Sequence, residues 1–154
     1  MVITSNAEES ICIRPACEQD YDTVVALWLE ASFGAHGFVP PYFWSDRAFD
    51  MRHTYLPSSE THVLLVDEEI AAFISLVEHQ LAALFVHPCY QGRGFGTQLL
   101  DLAKELRATL SLQVFKENTR AVAFYYAAGF RTSSEGVHAE TGASELGMVW
   151  HRPE

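Results

Sequence analysis

Leu84–Leu100 reads LFVHPCYQGRGFGTQLL: an apolar run stopped by Pro88, three glycines at alternate positions (Gly92, Gly94, Gly96), then apolar residues again. A short apolar run bounded by proline reads as a strand buried on both faces. Phe95, Leu99, Leu102, Ala103 and Leu106 fall at helical spacing. The stretch is therefore a strand–loop–helix junction. The first amides of a helix lack internal acceptors and carry partial positive charge. Glycine admits positive φ angles and the close approach of a ligand. Together these features predict an anion site.

The common nucleotide fingerprints do not fit. Counted from Gly92, GxGxxG requires glycine at position 97, where Thr97 stands; counted from Gly94, it meets Leu99. A P-loop requires GK[ST], and no lysine follows these glycines. A turn used only for tight strand-to-helix packing is the competing reading of the loop alone.

Working outward, LAALFVHP follows two strands, THVLLVD and IAAFISLVE, which form an antiparallel hairpin turning at EE. Before them, SICIRPA is a first strand. EQDYDTVVALWLEASF is a helix with Val24, Leu27, Trp28 and Ala31 on one face. GAHGFVPPYFW is a loop, and a second short helix extends through Met51–Tyr55. After the glycines, LSLQVFKEN is a strand parallel to LAALFVHP, so the helix between them is a crossover. TRAVAFYYAAG is a helix ending at Gly129, and two weak strands close the chain. The fold class is α/β (α+β): a mixed, mostly antiparallel sheet with one central βαβ unit and helices on both faces. Residues 1–9 read as a loose arm, and residues 10–154 as a single domain.

Ten basic and twenty acidic residues leave a net charge of −10. That field repels a phosphate backbone, which argues against nucleic acid, and it tolerates amines or basic peptides. Three cysteines without CxxC spacing make no disulfide framework, and Cys89 reads as a bystander. The N-terminal residues do not resemble a signal peptide, and no apolar run approaches the ~20 residues that span a bilayer. A cytoplasmic protein with no membrane partner is expected. The seven histidines show neither HxxxH nor HExxH, so no metal is expected.

The glycine loop has a companion. LFVHPCYQGRGFG resembles the Q/R-x-x-G-x-G/A signature of the GNAT acetyltransferases, with Gln91, Gly94 and Gly96 at its fixed places. NTRAVAFYYAAGF is similar to the second signature of that family, matching at Asn118, Ala121, Phe124, Tyr125, Gly129 and Phe130. The resemblance implies an N-acetyltransferase using acetyl-CoA. It puts the pyrophosphate on the amides of Gln91, Gly92, Arg93, Gly94, Phe95, Gly96 and Thr97, with Arg93 able to reach a phosphate oxygen. The pantetheine arm would run along Leu84, Phe85 and Val86, past Asn118 and Tyr125, where two parallel strands splay.

Acetyl transfer needs a polarised thioester carbonyl, a neutral amine and a proton for the departing thiolate. A backbone amide near Val86 suits the first need. Tyr125 suits the last, since a phenol of pKa ~10 can protonate a thiolate, and the family pattern favours it over Tyr126. Residues 80–87 hold no carboxylate. The base candidates are therefore Glu78 and, through water, His36. Loops are normally polar, yet His36, Phe38, Tyr42, Phe43 and Trp44 put five rings into nine residues. Such rings plug a core or line a site, and the resemblance places the acceptor beside Phe38, Phe43 and Trp44. The acceptor expected is a primary amine of a small molecule or peptide. A non-catalytic CoA-binding sensor and an O-acyl or longer-chain acyltransferase are the alternatives, and the family leaves a homodimer open.

Overall fold

The computed structural model describes residues 9–35 and 47–154. Seven strands form one sheet: β1 (Ile11–Pro15), β2 (Glu60–Val66), β3 (Glu69–Val77), β4 (Gln80–Val86), β5 (Thr109–Phe115), β6 (Arg131–Val137) and β7 (Ser144–His151). Their order is β1-β2-β3-β4-β5-β7-β6. Every pairing is antiparallel except β4 with β5. The longer helices among the described residues are α1 (Tyr21–Ala35), α2 (Phe95–Leu106) and α3 (Thr119–Ala127), with a π-type turn at Met51–Tyr55. This is the mixed sheet with one central βαβ unit read from the sequence. The hairpin turns at Asp67–Glu68, both at positive φ, one residue earlier than expected.

Alternation along the strands divides the core in two. Val63 and Phe73 face α1, where Val24, Leu27, Trp28 and Ala31 are buried. Leu64, Ala72 and Ile74 face the opposite way, toward Phe95, Leu99, Leu100 and Ala103 of α2. Each fully buried leucine or phenylalanine contributes about 1.5–3 kcal/mol by leaving water. The buried stripe of α2 includes Leu100, whereas Leu106 at its last turn is 39% exposed.

α1 is anchored at its start by charge. Arg14 of β1 donates to both carboxylate oxygens of Asp20 at 2.7 and 3.0 Å, and the Cys17 amide donates to the same group at 2.8 Å. The Arg14 hydrogen bonds hold the Asp20 carboxyl well below its ordinary value of 3.8. A depressed folded-state pKa stabilises the fold above the unfolded value and loses that contribution as pH falls through it. Thermal unfolding should therefore drop in Tm from about pH 5 downward. Asp20→Asn should cost about 1–3 kcal/mol at neutral pH and flatten that acid decline. An unchanged acid profile in the variant would remove Asp20 from the explanation.

Candidate active site

The site begins with one extra residue in β4. Ser75 of β3 pairs with Ala83 and Leu76 with Leu81, so Ala82 is bulged out. A bulge bends its strand and sharpens the local twist. β4 meets β5 at Gln80↔Ser111 and then diverges. Its second half, Ala83–Val86, is half-buried rather than buried on both faces, because no strand covers that edge. This corrects the expectation drawn from its continuous apolar character.

The free edge presents polar groups. The His87 amide donates to the Ala71 carbonyl across β3 at 2.8 Å. Amides alternate in direction along a strand, so those of Val86 and Leu84 face the opening toward β5. The Val86 carbonyl faces the same way and accepts from Gln91 Nε2 at 3.0 Å. An extended chain carrying amides can pair with such an edge.

The glycines divide their labour. Gly92 and Gly94 sit at φ +82° and +84°, and a Cβ on either would point into open space. Gly94 caps α2 without a side chain, and its carbonyl accepts the first helical bond, from the Gln98 amide at 3.0 Å. The amides of Phe95, Gly96 and Thr97 ahead of that bond are the donors a helix start leaves open. Gly96 differs: a Cβ there would stand 3.6 Å from the Phe124 ring and 3.7 Å from Val86, in ordinary van der Waals contact.

Two cavities meet at this opening. The larger, about 720 Å³, runs from Leu84–Val86 past the glycine loop to the first turn of α3. The smaller, about 210 Å³, lies between β4 and β5 beside Trp28. Leu84, Phe85, Asn118, Ala121 and Tyr125 line both. Tyr125 is 8% exposed and packs edge-on against Phe124 and Phe130. Burial pushes its phenol pKa upward, so the hydroxyl is protonated throughout the neutral range. Tyr126, ~100° around the helix, is 41% exposed and bonds Thr132 instead. Asn118 caps α3, accepting from the Ala121 amide at 3.2 Å.

Other residues singled out in the sequence stand elsewhere. Arg93 pairs with Glu9 and lies over the Tyr90 and Phe95 rings, outside the lining of the larger cavity. Glu78 occupies the β3–β4 turn at φ +53°, its carbonyl accepting from Arg107 Nε at 2.7 Å, and it lines neither cavity. His36, Phe38, Phe43 and Trp44 lie outside the described residues, as do residues 1–8 of the arm. Among the lining groups that carried no motif are Trp28 and Phe115 at the smaller cavity and Arg120 at the larger. Trp28 was legible as a core residue of α1, but nothing local shows that its neighbour is a gap. Among the described residues no group of three or more His, Cys, Asp or Glu is placed to hold a metal, and no helix is long and apolar enough to cross a membrane.

Known proteins resemble this chain in sequence and fold. The peptidyl-lysine N-acetyltransferase YiaC of Escherichia coli is 31% identical over 139 residues, covering 90% of this chain and 95% of that protein. The spermidine N(1)-acetyltransferase of Escherichia coli is 31% identical over 143 residues, covering 84% and 77%. The solution structure of apo YjaB from Escherichia coli superposes with a TM-score of 0.82 at 23% identity, covering 94% of this chain and 99% of that one. The family description Acetyltransferase (GNAT) matches residues 23–130. The chain thus belongs to the GNAT acetyltransferase family and is an acetyl-CoA-dependent N-acetyltransferase.

Proposed function

We propose that the acceptor is the side-chain amine of a lysine in a peptide or protein, acetylated where the two cavities meet. The observation that carries this reading is the wall of the smaller cavity. Trp28, Phe85 and Phe115 line it, and no carboxylate does so among the described residues. A lysine presents four methylenes and one charge, which suit an apolar slot with aromatic faces. A polyamine carries several charges and calls for several carboxylates. The likeness to a peptidyl-lysine acetyltransferase over 90% of the chain supports the same choice.

The residues divide the chemistry as follows. The open edge of β4 at Leu84 and Val86 pairs with the pantetheine arm, and the amides of Gly92 to Thr97 cradle the pyrophosphate. Bound acetyl-CoA supplies the activated acetyl group. A gap-facing amide at Leu84 or Val86 donates to the carbonyl oxygen as it gains negative charge. Tyr125 donates its phenolic proton to the departing sulfur. Burial raises the proton affinity of phenolate and thiolate alike, so transfer between them stays feasible. No imidazole or carboxylate lines the smaller cavity among the described residues. Loss of the ammonium proton is therefore assigned to water at the cavity mouth.

The test compares acceptors. Thiol release from acetyl-CoA is followed with a lysine-containing peptide and with spermidine, and the product is located by mass spectrometry. The expected outcome is a kcat/KM for the peptide at least about tenfold above that for spermidine, with the acetyl group on the lysine side chain. Preference for spermidine would overturn the lysine assignment.

A further inference from the structure

The ten basic residues of this acidic chain are nearly all committed to anions or carbonyls within the fold. Arg14, Arg47, Arg52, Arg93, Arg107 and Lys116 each pair with a carboxylate. Lys104, Arg131 and Arg152 donate to main-chain carbonyls. Arg120 differs: among the described residues its guanidinium donates only to the neutral side-chain amide of Gln91, at 3.3 Å. It stands in the first turn of α3, in the wall of the larger cavity and across from the glycine loop. Glu117 lines the same wall and forms no salt bridge with it.

Gln91 gives this cation its address. The same amide group that accepts from Arg120 donates to the Val86 carbonyl. One side chain thus links Arg120 to the point where the strand edge becomes the glycine loop. An arginine beside open helix-start amides, with no counter-ion of its own, is matched to a phosphate group. Its fork can engage two phosphate oxygens at once, whereas a neutral amide offers it a weaker bond.

We infer that Arg120 is the cation that binds the pyrophosphate of acetyl-CoA, and that Gln91 holds it at the cavity mouth until the phosphates displace that contact. The inference rests on the reading that the pyrophosphate lies on the Gly92–Thr97 amides. It transfers to Arg120 the phosphate contact expected of Arg93, whose guanidinium is paired with Glu9.

Calorimetric titration of wild type and Arg120→Ala with coenzyme A and with dephospho-coenzyme A, which lacks the 3′-phosphate, tests it. Arg120 is exposed, so the variant should fold, and matching melting curves check this. The expected result is a loss of about tenfold or more for both ligands by the same factor. Arg120→Lys should recover part of that loss, because it keeps the charge and gives up the fork. A loss confined to coenzyme A would move Arg120 to the 3′-phosphate and overturn the assignment. Unchanged affinity for both ligands would overturn it as well. Failure of wild type to bind either ligand would instead remove the phosphate-cradle reading on which it rests.

Discussion

Tyr125→Phe is expected to lower kcat by about 10²-fold or more, within the range for a lost general acid, while the KM for acetyl-CoA moves little. The split follows from what the substitution deletes. The ring still packs against Phe124 and Phe130 at centroid distances of 5.2 and 5.4 Å, so the wall between the two cavities keeps its shape. Only the hydroxyl goes, and with it the proton we propose for the departing sulfur. An interaction used in the transition state and absent from ground-state binding appears in kcat. Tyr126→Phe is the control: it removes a hydroxyl bonded to Thr132 on an exposed face and should leave turnover intact. Steady-state kinetics on the two variants decides between the tyrosines. A crippled Tyr126→Phe beside an active Tyr125→Phe would reassign the acid.

Gly94→Val should abolish measurable acetyl-CoA binding while leaving a folded protein. Two effects add. Gly94 sits at φ +84°, where an L-residue pays roughly 1–2 kcal/mol and a β-branched one more. That cost lowers stability without unfolding a domain of ordinary stability. The second effect is occupancy: nothing in the protein lies within 4 Å of the added Cβ, so the isopropyl group projects into the cavity mouth. Gly94→Ala separates the two, since it carries backbone strain with a far smaller projection. Affinity by calorimetry and Tm by circular dichroism should therefore diverge between the variants. Wild-type affinity in Gly94→Val would mean that the phosphates do not approach the helix start at all.

The contrast between Gly94 and Gly96 shows how much of the site one dimension could carry. Both occupy fixed places of one short signature. The sequence distinguishes them only by position, yet Gly94, at φ +84°, opens onto the cavity, while a Cβ at Gly96 would meet Phe124 and Val86 in ordinary contact.

Local pattern determined the element order, the hairpin, the crossover helix and the capped helix ending at Gly129. These depend on neighbours within about a turn or a strand length, and periodicity records such neighbours directly. The same locality predicted an anion site at the helix start, and the family resemblance named Tyr125 as the acid to test. The tertiary structure decided the rest. The bulge at Ala82 is a mismatch between two strands, and no single strand displays it, yet it opens β4 from β5. Tyr125 and Tyr126 differ by one residue in sequence; only the docking of α3 turns one inward to both cavities and the other out to Thr132. Arg93 lies within the signature but is neutralised by Glu9, 84 positions away, whereas Arg120 pairs with no carboxylate among the described residues. Charge pairing and sheet register are set by residues far apart in the chain, so folding alone determines which groups face the ligand.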